Sequence, residues 1–334
     1  MGAGASGGRL PKHSETSPQM KSRSGPRTYV SYDKRECRPS AAGGLSDMGC
    51  LVTKVKSDVT ALRVELLGPV RAWRGEEELE LGGPQRRALL GMLAGSRRPV
   101  SIGEVIEGLW GQDPPVSAGN AVHVHISWLR RVLEPGRARR SPGQILTAAH
   151  SGYRLDLAPG SLDTEVLDFH LATARRLAAS DPAVAVRSLD TALSLWHGAP
   201  LDGIPGPWAD IERTRFDELY QTATGDRLDM LLLLGAHHEV LADLAVLIRR
   251  HPLRERFRGQ FMLALYRCGR QADALAAYHD ARRELAGKLG IDPGPALRRM
   301  HARILAGDPA LDPPRVELHR AWRTSDIGWA HSGA

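Results

Sequence analysis

The chain has 334 residues, of which 42% are hydrophobic, 5% aromatic and 25% charged, and its net charge is +7. This composition is typical of a soluble protein with about two domains. It contains no apolar run near the roughly 18 residues of a spanning helix and no signal-peptide core, so we expect a cytoplasmic protein without membrane contact. Three scattered cysteines argue against a disulfide framework or a zinc finger.

The positive charge is concentrated in the N-terminal half. The net charge is +5 over residues 1–60, +3 over 61–157, zero over 158–307 and −1 over 308–334. Residues 130–140 contain five arginines and only one acidic residue, Glu134. Such a cluster favours an anionic partner, most often nucleic acid, although a solvated charged surface is the other explanation.

Both ends of the chain are predicted to be disordered. Gly, Ser and Pro fill 20 of the first 50 positions, so residues 1–60 have too little apolar surface to offset their ordering entropy. We expect a disordered basic tail there and a second disordered tail over 308–334. The folded part between them is expected to divide into domains at 61–157 and 158–307.

Short strands open the first domain. Apolar residues separated by turn residues predict strands near 64–67, 70–73 and 78–81, with a turn at Arg74-Gly75. These strands are expected to form a small antiparallel sheet.

Three helices follow the sheet. The first is predicted from Gln85 to Leu93, and the second opens at Ser101, whose spacing to Glu104 is that of a capping box. Pro114-Pro115 then breaks the chain. Ser117 is positioned to cap a third helix that runs to about Leu133.

The third helix has two distinct faces. Four apolar residues recur at i, i+4, i+7 and i+11: Val122, Ile126, Leu129 and Leu133. Polar or cationic residues lie largely off that stripe: His123, Ser127, Arg130 and Arg131. Such a helix can pack on two shorter helices and present hydrogen-bond donors outward.

Two strands close this domain, at 145–148 and 153–157, around a turn at His150-Ser151-Gly152. The order of sheet, three helices and hairpin describes a winged helix-turn-helix, in which the third helix would enter the DNA groove.

Motifs in both halves resemble one family of bacterial regulators. The stretch VHVHISWLRRVL at 122–133, followed by Thr147 and by GYRL at 152–155, resembles the winged helix of OmpR/PhoB-type regulators. Five later motifs resemble the bacterial transcriptional activator domain: Leu162-Asp163, ALSLW at 192–196, Pro207-Trp208-Ala209, HPLRER at 251–256 and LGIDPG at 289–294. The combination resembles Streptomyces antibiotic regulatory proteins over about residues 62–307.

The second half also contains an internal repeat. Four residues recur 34 positions later: Leu231, Gly235, Leu241 and Leu244 as Leu265, Gly269, Leu275 and Tyr278. This is the period of a tetratricopeptide helix pair, and a 41-residue interval from Pro252 to Pro293 predicts an extra turn or longer loop in the second unit. We therefore expect a mainly α fold with a small β component, an N-terminal winged helix-turn-helix followed by an α-helical tetratricopeptide-like repeat domain.

The resemblance implies a sequence-specific transcriptional activator of a secondary-metabolite gene cluster, such as one for antibiotic biosynthesis. Family members of this kind bind direct repeats near the −35 region of a promoter, with copies side by side, and recruit RNA polymerase through its sigma factor and alpha subunit. The implied partners are promoter DNA, RNA polymerase and further copies of the chain, within the cytoplasm at the nucleoid.

A B-form major groove admits one helix, whose exposed side chains can hydrogen-bond base edges. His123, Val124 and Ser127 are the candidates for base reading. Arg130 and Arg131 are better placed for phosphates, which fix register but carry no sequence information.

The hairpin and the loop before it supply further candidates. Thr147 and His150 are expected to approach the neighbouring backbone or the minor groove. The arginines of the loop add positive field and candidate phosphate contacts: Arg137, Arg139 and Arg140.

Two positions depart from the family pattern. Trp128 stands where the family commonly has Arg, and Ala148-Ala149 stands where the wing commonly carries Arg. Without these two phosphate contacts the affinity would be lower and the salt dependence flatter, because each contact contributes about −0.9 to the slope of log K on log salt. The basic tail or the loop arginines would compensate, and Trp128 itself is expected to pack.

Other functions have less support. His237-His238-Glu239 is not an HExxH zinc motif, and the chain has neither a phosphate-binding loop nor a GxSxG elbow, so we expect no enzyme, cofactor or metal. Both histidines are expected on the surface at a helix junction. The remaining alternative is a helical-repeat scaffold whose winged helix contacts protein rather than DNA, and salt-sensitive duplex binding distinguishes the two functions.

Overall fold

A computed structural model describes residues 62–136, 138, 141–149 and 152–312. The first part contains nine elements: β1 (Leu62–Glu65), β2 (Arg71–Arg74), β3 (Glu77–Glu78), α1 (Pro84–Gly95), β4 (Val100–Ser101), α2 (Ile102–Trp110), α3 (Ala118–Leu133), β5 (Leu146–Ala149) and β6 (Gly152–Leu155). Seven helices follow: α4 (Asp163–Leu177), α5 (Pro182–Leu193), α6 (Pro207–Leu233), α7 (Val240–Arg250), α8 (Glu255–Arg267), α9 (Gln271–Leu289) and α10 (Pro295–Leu305). This confirms the mainly α fold, and none of the described helices has the length and apolarity to cross a membrane.

The first sheet has the order β1-β2-β3 and is antiparallel, as predicted. Its second strand extends to Arg74, so the turn consists of Gly75 and Glu76 rather than Arg74 and Gly75. Gly75 takes a φ of +58°, the left-handed region that a residue without a Cβ enters at low cost. The third strand is short and ends at Glu78, where the sequence pattern predicts its start.

The two predicted helix caps behave differently. The backbone N–H of Glu104 donates to Ser101 Oγ at 3.2 Å, and the Ser101 N–H donates to Glu104 Oε2 at 2.9 Å, so the capping box is confirmed. Ser117 does precede α3, but its side chain forms no cap hydrogen bond.

The wing contains three strands in the order β4-β6-β5. The sequence did not predict β4, because it is only two residues long and its second residue is also the N-cap of α2. Its close pairing with β6 requires Gly152, where a Cβ would lie 1.9 Å from the carbonyl oxygen of Val100.

The internal repeat corresponds to two similar helix–turn–helix units, α6–α7 and α8–α9. Gly235 and Gly269 follow the first helix of each unit with φ of +88° and +75°. In both units the next residue donates its N–H to the carbonyl five residues earlier, at 3.0 and 2.9 Å, which is a Schellman cap. The second helix of the second unit is the longer one, because α9 has 19 residues and α7 has 11. This explains the 41-residue interval.

Two expectations for the helical part are wrong. The predicted tail begins too early, because Pro309–Leu311 form a short 3₁₀ helix in which Leu311 is 3% exposed and its carbonyl accepts from Arg267 Nε at 2.7 Å. His237 is buried rather than on the surface, whereas His238 is exposed. The whole predicted N-terminal tail, 1–60, and residues 313–334 of the C-terminal one lie outside the described residues.

The winged helix and the first helices after it share one apolar core. A single cluster of buried residues extends from Leu62 in β1 to Ala223 in α6, whereas α7 to α10 contribute to smaller clusters. A backbone hydrogen bond also connects β1 to the segment before α4: the Val64 N–H donates to the Ser161 carbonyl at 2.8 Å. The core of the described residues thus continues across position 157, where the sequence predicts a domain boundary.

Asp163 is a buried polar residue at the joint between the end of β1 and the start of α4. Its Oδ2 accepts the backbone N–H groups of Leu66 and Leu67 at 2.7 and 2.8 Å, and its Oδ1 accepts that of Thr164. Burial raises the pKa of Asp163 to about 7, with a further upward contribution from the charge of Glu65, against the opposing effect of the three N–H donors.

Trp208 fills a slot between the two parts. Its indole Cη2 lies 2.6 Å from the position of a Cβ on Gly91 of α1, and its own Cβ lies 3.2 Å from that position on Gly108 of α2. The helical part can therefore approach α1 and α2 this closely only because both residues are glycine.

We expect Gly91→Ala to destabilise the protein by about 1–3 kcal/mol, because a methyl group would overlap the rigid indole. Gly95→Ala in the same helix is the matched control. Nothing lies within 4 Å of its Cβ position, so the substitution should be neutral or stabilise by up to about 1 kcal/mol. Urea unfolding measures the free energy of unfolding of both variants. Equal values would show that the Trp208 indole does not require glycine at position 91.

Asp163→Asn tests the pKa at the joint. The native carboxyl is protonated below about pH 7, whereas the unfolded one is protonated only below its ordinary pKa of 3.8. Between these values wild-type stability should fall as pH rises, by at most about 1.4 kcal/mol per unit. The difference in unfolding free energy, wild type minus Asn, should decrease from pH 5 to pH 8. A difference that is constant or increases would show that the N–H donors hold the carboxylate charged.

Candidate DNA-binding site

Helix α3 is buried along one face and open along the other. The predicted apolar stripe is confirmed as buried, together with Ala118. Successive residues are rotated by about 100°, so the exposed residues on the opposite side form a second stripe. Its members are Asn120, Val124, Ser127 and Arg131. Amide, hydroxyl and guanidinium groups on this stripe can reach base edges or phosphates.

The wing holds one flank of α3. His123 is exposed, and its Nδ1 lies 2.8 Å from the hydroxyl of Tyr153 in β6. Arg130 Nε donates to the Leu146 carbonyl of β5 at 2.9 Å, and its guanidinium carbon lies 5.5 Å from the centre of the Tyr153 ring. Arg130 therefore connects helix and wing, a structural role that its assignment to phosphate did not include.

The C-terminal end of α3 is also held. Arg74 Nη2 donates to the carbonyls of Val132 and Leu133 at 2.9 and 3.0 Å, so a cation lies at the negative end of the helix dipole. Glu134 Oε1 accepts backbone N–H groups from three consecutive residues, 144–146, at the start of β5. The direction of α3 relative to the wing is set by these bonds.

Trp128 lies on the other flank of α3, toward α1. It is partly buried against the core, which confirms the expected packing role. The guanidinium carbon of Arg86 lies 4.4 Å from the centre of the Trp128 ring. The neighbouring His125 contacts Gln85 through Nε2 at 3.2 Å, and burial together with the charge of Arg86 lowers the pKa of His125.

The predicted wing residues are only partly described. Thr147 Oγ1 lies 3.4 Å from the Arg154 carbonyl and 3.3 Å from Asp156 Oδ2, so the hydroxyl already has partners within the wing. Arg154 is exposed and pairs with Asp156 at 2.7 Å. Four predicted contacts lie outside the described residues and remain predictions: Arg137, Arg139, Arg140 and His150.

The structure adds three residues to the candidate surface. Asn120 continues the exposed stripe by one turn toward the N-terminus, and extending the helical period would have found it. Arg86 and Tyr153 are brought to the flanks of α3 from distant positions in the chain, so periodicity within α3 carried no signal for them.

Two family profiles match the chain. One is described as Transcriptional regulatory protein, C terminal, and matches residues 76–155; the other is described as Bacterial transcriptional activator domain and matches 162–305. Transcriptional regulator RedD of Streptomyces coelicolor is 35% identical over 267 residues, covering 79% of this chain and 76% of that protein. Regulatory protein DnrI of Streptomyces peucetius is 30% identical, covering 75% and 94%. The chain belongs to the Streptomyces antibiotic regulatory protein family.

Longer members of the family also match. Regulatory protein AfsR of Streptomyces coelicolor is 46% identical over 254 residues, which are 75% of this chain but only 25% of that protein. The structure of Mycobacterium tuberculosis EmbR in complex with a low-affinity phosphopeptide superposes with a TM-score of 0.70 at 34% identity, covering 74% of this chain and 66% of that one. This regulator thus spans about a quarter of AfsR, and its fold matches about two thirds of the EmbR chain.

Arg131 and Arg130 differ in a way that separates DNA contact from support of the fold. Both Arg131→Ala and Arg130→Ala should weaken binding to all duplexes alike, with the slope of log K on log salt reduced by about 0.9 for each phosphate that the side chain no longer neutralises. Arg130→Ala should also lower the unfolding free energy by about 1 kcal/mol, because the variant cannot form the hydrogen bond to the Leu146 carbonyl.

Salt titrations of duplex binding and urea unfolding without DNA give the two readouts. A change of sequence preference in Arg131→Ala at an unaltered slope would instead assign this side chain to a base.

Proposed function

We propose that this regulator is a sequence-specific transcriptional activator of a secondary-metabolite gene cluster, which binds direct repeats near the −35 region of its promoters. The observation that supports this most directly is the outward stripe of α3, which is exposed and polar while the rest of the helix is held on both flanks. A helix presented in this way matches the width of a major groove.

The stripe suggests a division of tasks. Ser127 and Val124 lie at its centre, where a hydroxyl can bond a base edge and an apolar group can touch a thymine methyl. Asn120 adds an amide that suits adenine. His123 reads from the wing flank, with one ring nitrogen bonded to Tyr153 and the other directed by that bond. Arg131 contacts phosphate.

A neighbouring surface supports recruitment of RNA polymerase. The segment between α2 and α3 exposes Pro114 and Pro115, and Val116 is fully accessible. Val116 buries no apolar area within its own fold, so its side chain is available to a partner protein. This segment directly precedes the recognition helix, so a protein bound to adjacent promoter DNA would meet it. Contacts to the sigma factor and alpha subunit, and side-by-side binding of copies, belong to this proposal.

The scaffold function predicts different behaviour. A winged helix that contacts protein would bind duplex weakly and without preference, and the net charge of zero over residues 158–307 gives the helical part no general attraction for DNA.

A selection from a randomised duplex library, with the full chain as bait, tests the proposal without knowledge of the operator. We expect an enriched motif that occurs as a direct repeat, with binding that survives unrelated competitor duplex and weakens with salt. Transcription from a promoter carrying that repeat should then increase when the regulator and RNA polymerase are added together.

Three alanine variants refine this test. Ser127→Ala and Asn120→Ala should each relax preference at their own base position, with about 1–3 kcal/mol less discrimination, while Arg131→Ala should not change the motif. Selection of no motif, together with equal competition by any duplex, would favour the scaffold instead.

A further inference from the structure

A cation lies on the flank of α3 that faces α1. Arg86 of α1 places its guanidinium carbon 4.4 Å from the centre of the Trp128 indole. An Arg at position 128 would project from the same flank. The positive charge on this flank is therefore supplied by another helix.

Gly82 leaves the space in which Arg86 stacks on Trp128. Gly82 takes a φ of +74°, and a Cβ at this residue would lie 2.9 Å from Arg86 Nη1 and 3.3 Å from Trp128 Cη2. Glycine therefore leaves room for the guanidinium to lie against the ring. The indole is partly buried against the core, so the platform under the cation is itself fixed.

The charge of Arg86 is available for an external anion. Arg86 forms no ion pair with another residue in the described part of the chain. A guanidinium stacked on an aromatic face keeps its edge donors free, and those donors suit a phosphate.

The position of Trp128 on the helix places this cation beside the groove. With about 100° between residues, Trp128 lies roughly 70° to one side of the exposed stripe, and His123 and Arg130 lie about as far to the other side. The wing closes the second flank. A helix inserted in a major groove has a sugar–phosphate backbone along each side, so the Arg86 side faces the strand that the wing does not.

We propose that Arg86 is a phosphate-binding residue of this regulator and that Trp128 is the platform that positions it on the flank of α3. This inference rests on the proposed binding of duplex DNA. It assigns a contact to α1, outside the helix-turn-helix recognition surface considered from the sequence.

Arg86→Ala in the full chain is the direct test, with a duplex recovered from the library selection as the probe. Binding to all duplexes should weaken alike, and the slope of log K on log salt should become shallower by about 0.9, so that the ratio of affinities at 50 and 200 mM salt changes about 3-fold. The matched control is Arg249→Ala, which removes one exposed charge from α7 and should leave the slope unchanged.

Two double variants test whether a positive charge on this flank is what the slope reports. Arg86→Ala combined with Trp128→Arg should recover the slope, because a charge is supplied from α3 instead, whereas Arg86→Ala combined with Trp128→Phe should not. Urea unfolding checks that each variant is folded; if the double variants unfold, the comparison of Arg86→Ala with Arg249→Ala still decides.

The outcomes separate the two proposals. Wild-type protein without salt-dependent duplex binding would overturn the proposed function. Wild-type binding with the same slope in Arg86→Ala would overturn only the role of Arg86, and a changed sequence preference in that variant would assign Arg86 to a base.

Discussion

Two backbone N–H groups at the end of β1 meet the carboxylate of Asp163, and the relation between the two halves of the molecule depends on this contact. The donors of Leu66 and Leu67 are buried, and without an acceptor each would cost about 1–3 kcal/mol. Their acceptor is the first residue of α4, so the sheet of the winged helix and the first helix of the activator domain are bonded at one point. The surrounding core continues across that point without interruption.

Contacts between the two parts of the molecule also fix the direction of α3. Trp208 brings the start of α6 against both α1 and α2, and α1 and α2 in turn support α3. The direction of α3 is therefore coupled to the direction of the helical repeats. Under the proposed function, a copy bound at one repeat of a promoter would hold its helical domain at a fixed angle to the DNA, which favours a regular arrangement of neighbouring copies.

Helix α3 itself is restrained by several different polar contacts. Arg130 and Glu134 bond to backbone groups of the wing, whereas Arg74 bonds to the last carbonyls of the helix. Trp128 packs on the side toward α1. The outward stripe is left for solvent or DNA. A site held in this way gives up little further conformational freedom on binding, so more of its contact energy is available for discrimination.

The amino-acid sequence by itself determined the kinds of element, the capping box at Ser101, the buried stripe of α3 and the period of the helical repeats. These features depend on side-chain periodicity and on hydrogen bonds between residues three to five positions apart, so the information is local. The same is true of the two glycines that end the first helix of each repeat, Gly235 and Gly269.

Contacts between residues distant in the chain were decided only by the tertiary structure. The strand β4 forms because β6, about fifty residues later, supplies its hydrogen bonds, and His237 is buried because other helices cover it. Arg86 and Tyr153 reach the flanks of α3 from 42 and 23 residues away, through packing that no local pattern encodes. Sequence periodicity therefore located the helix with the open polar stripe, while the neighbours that hold and charge its flanks are a property of the fold.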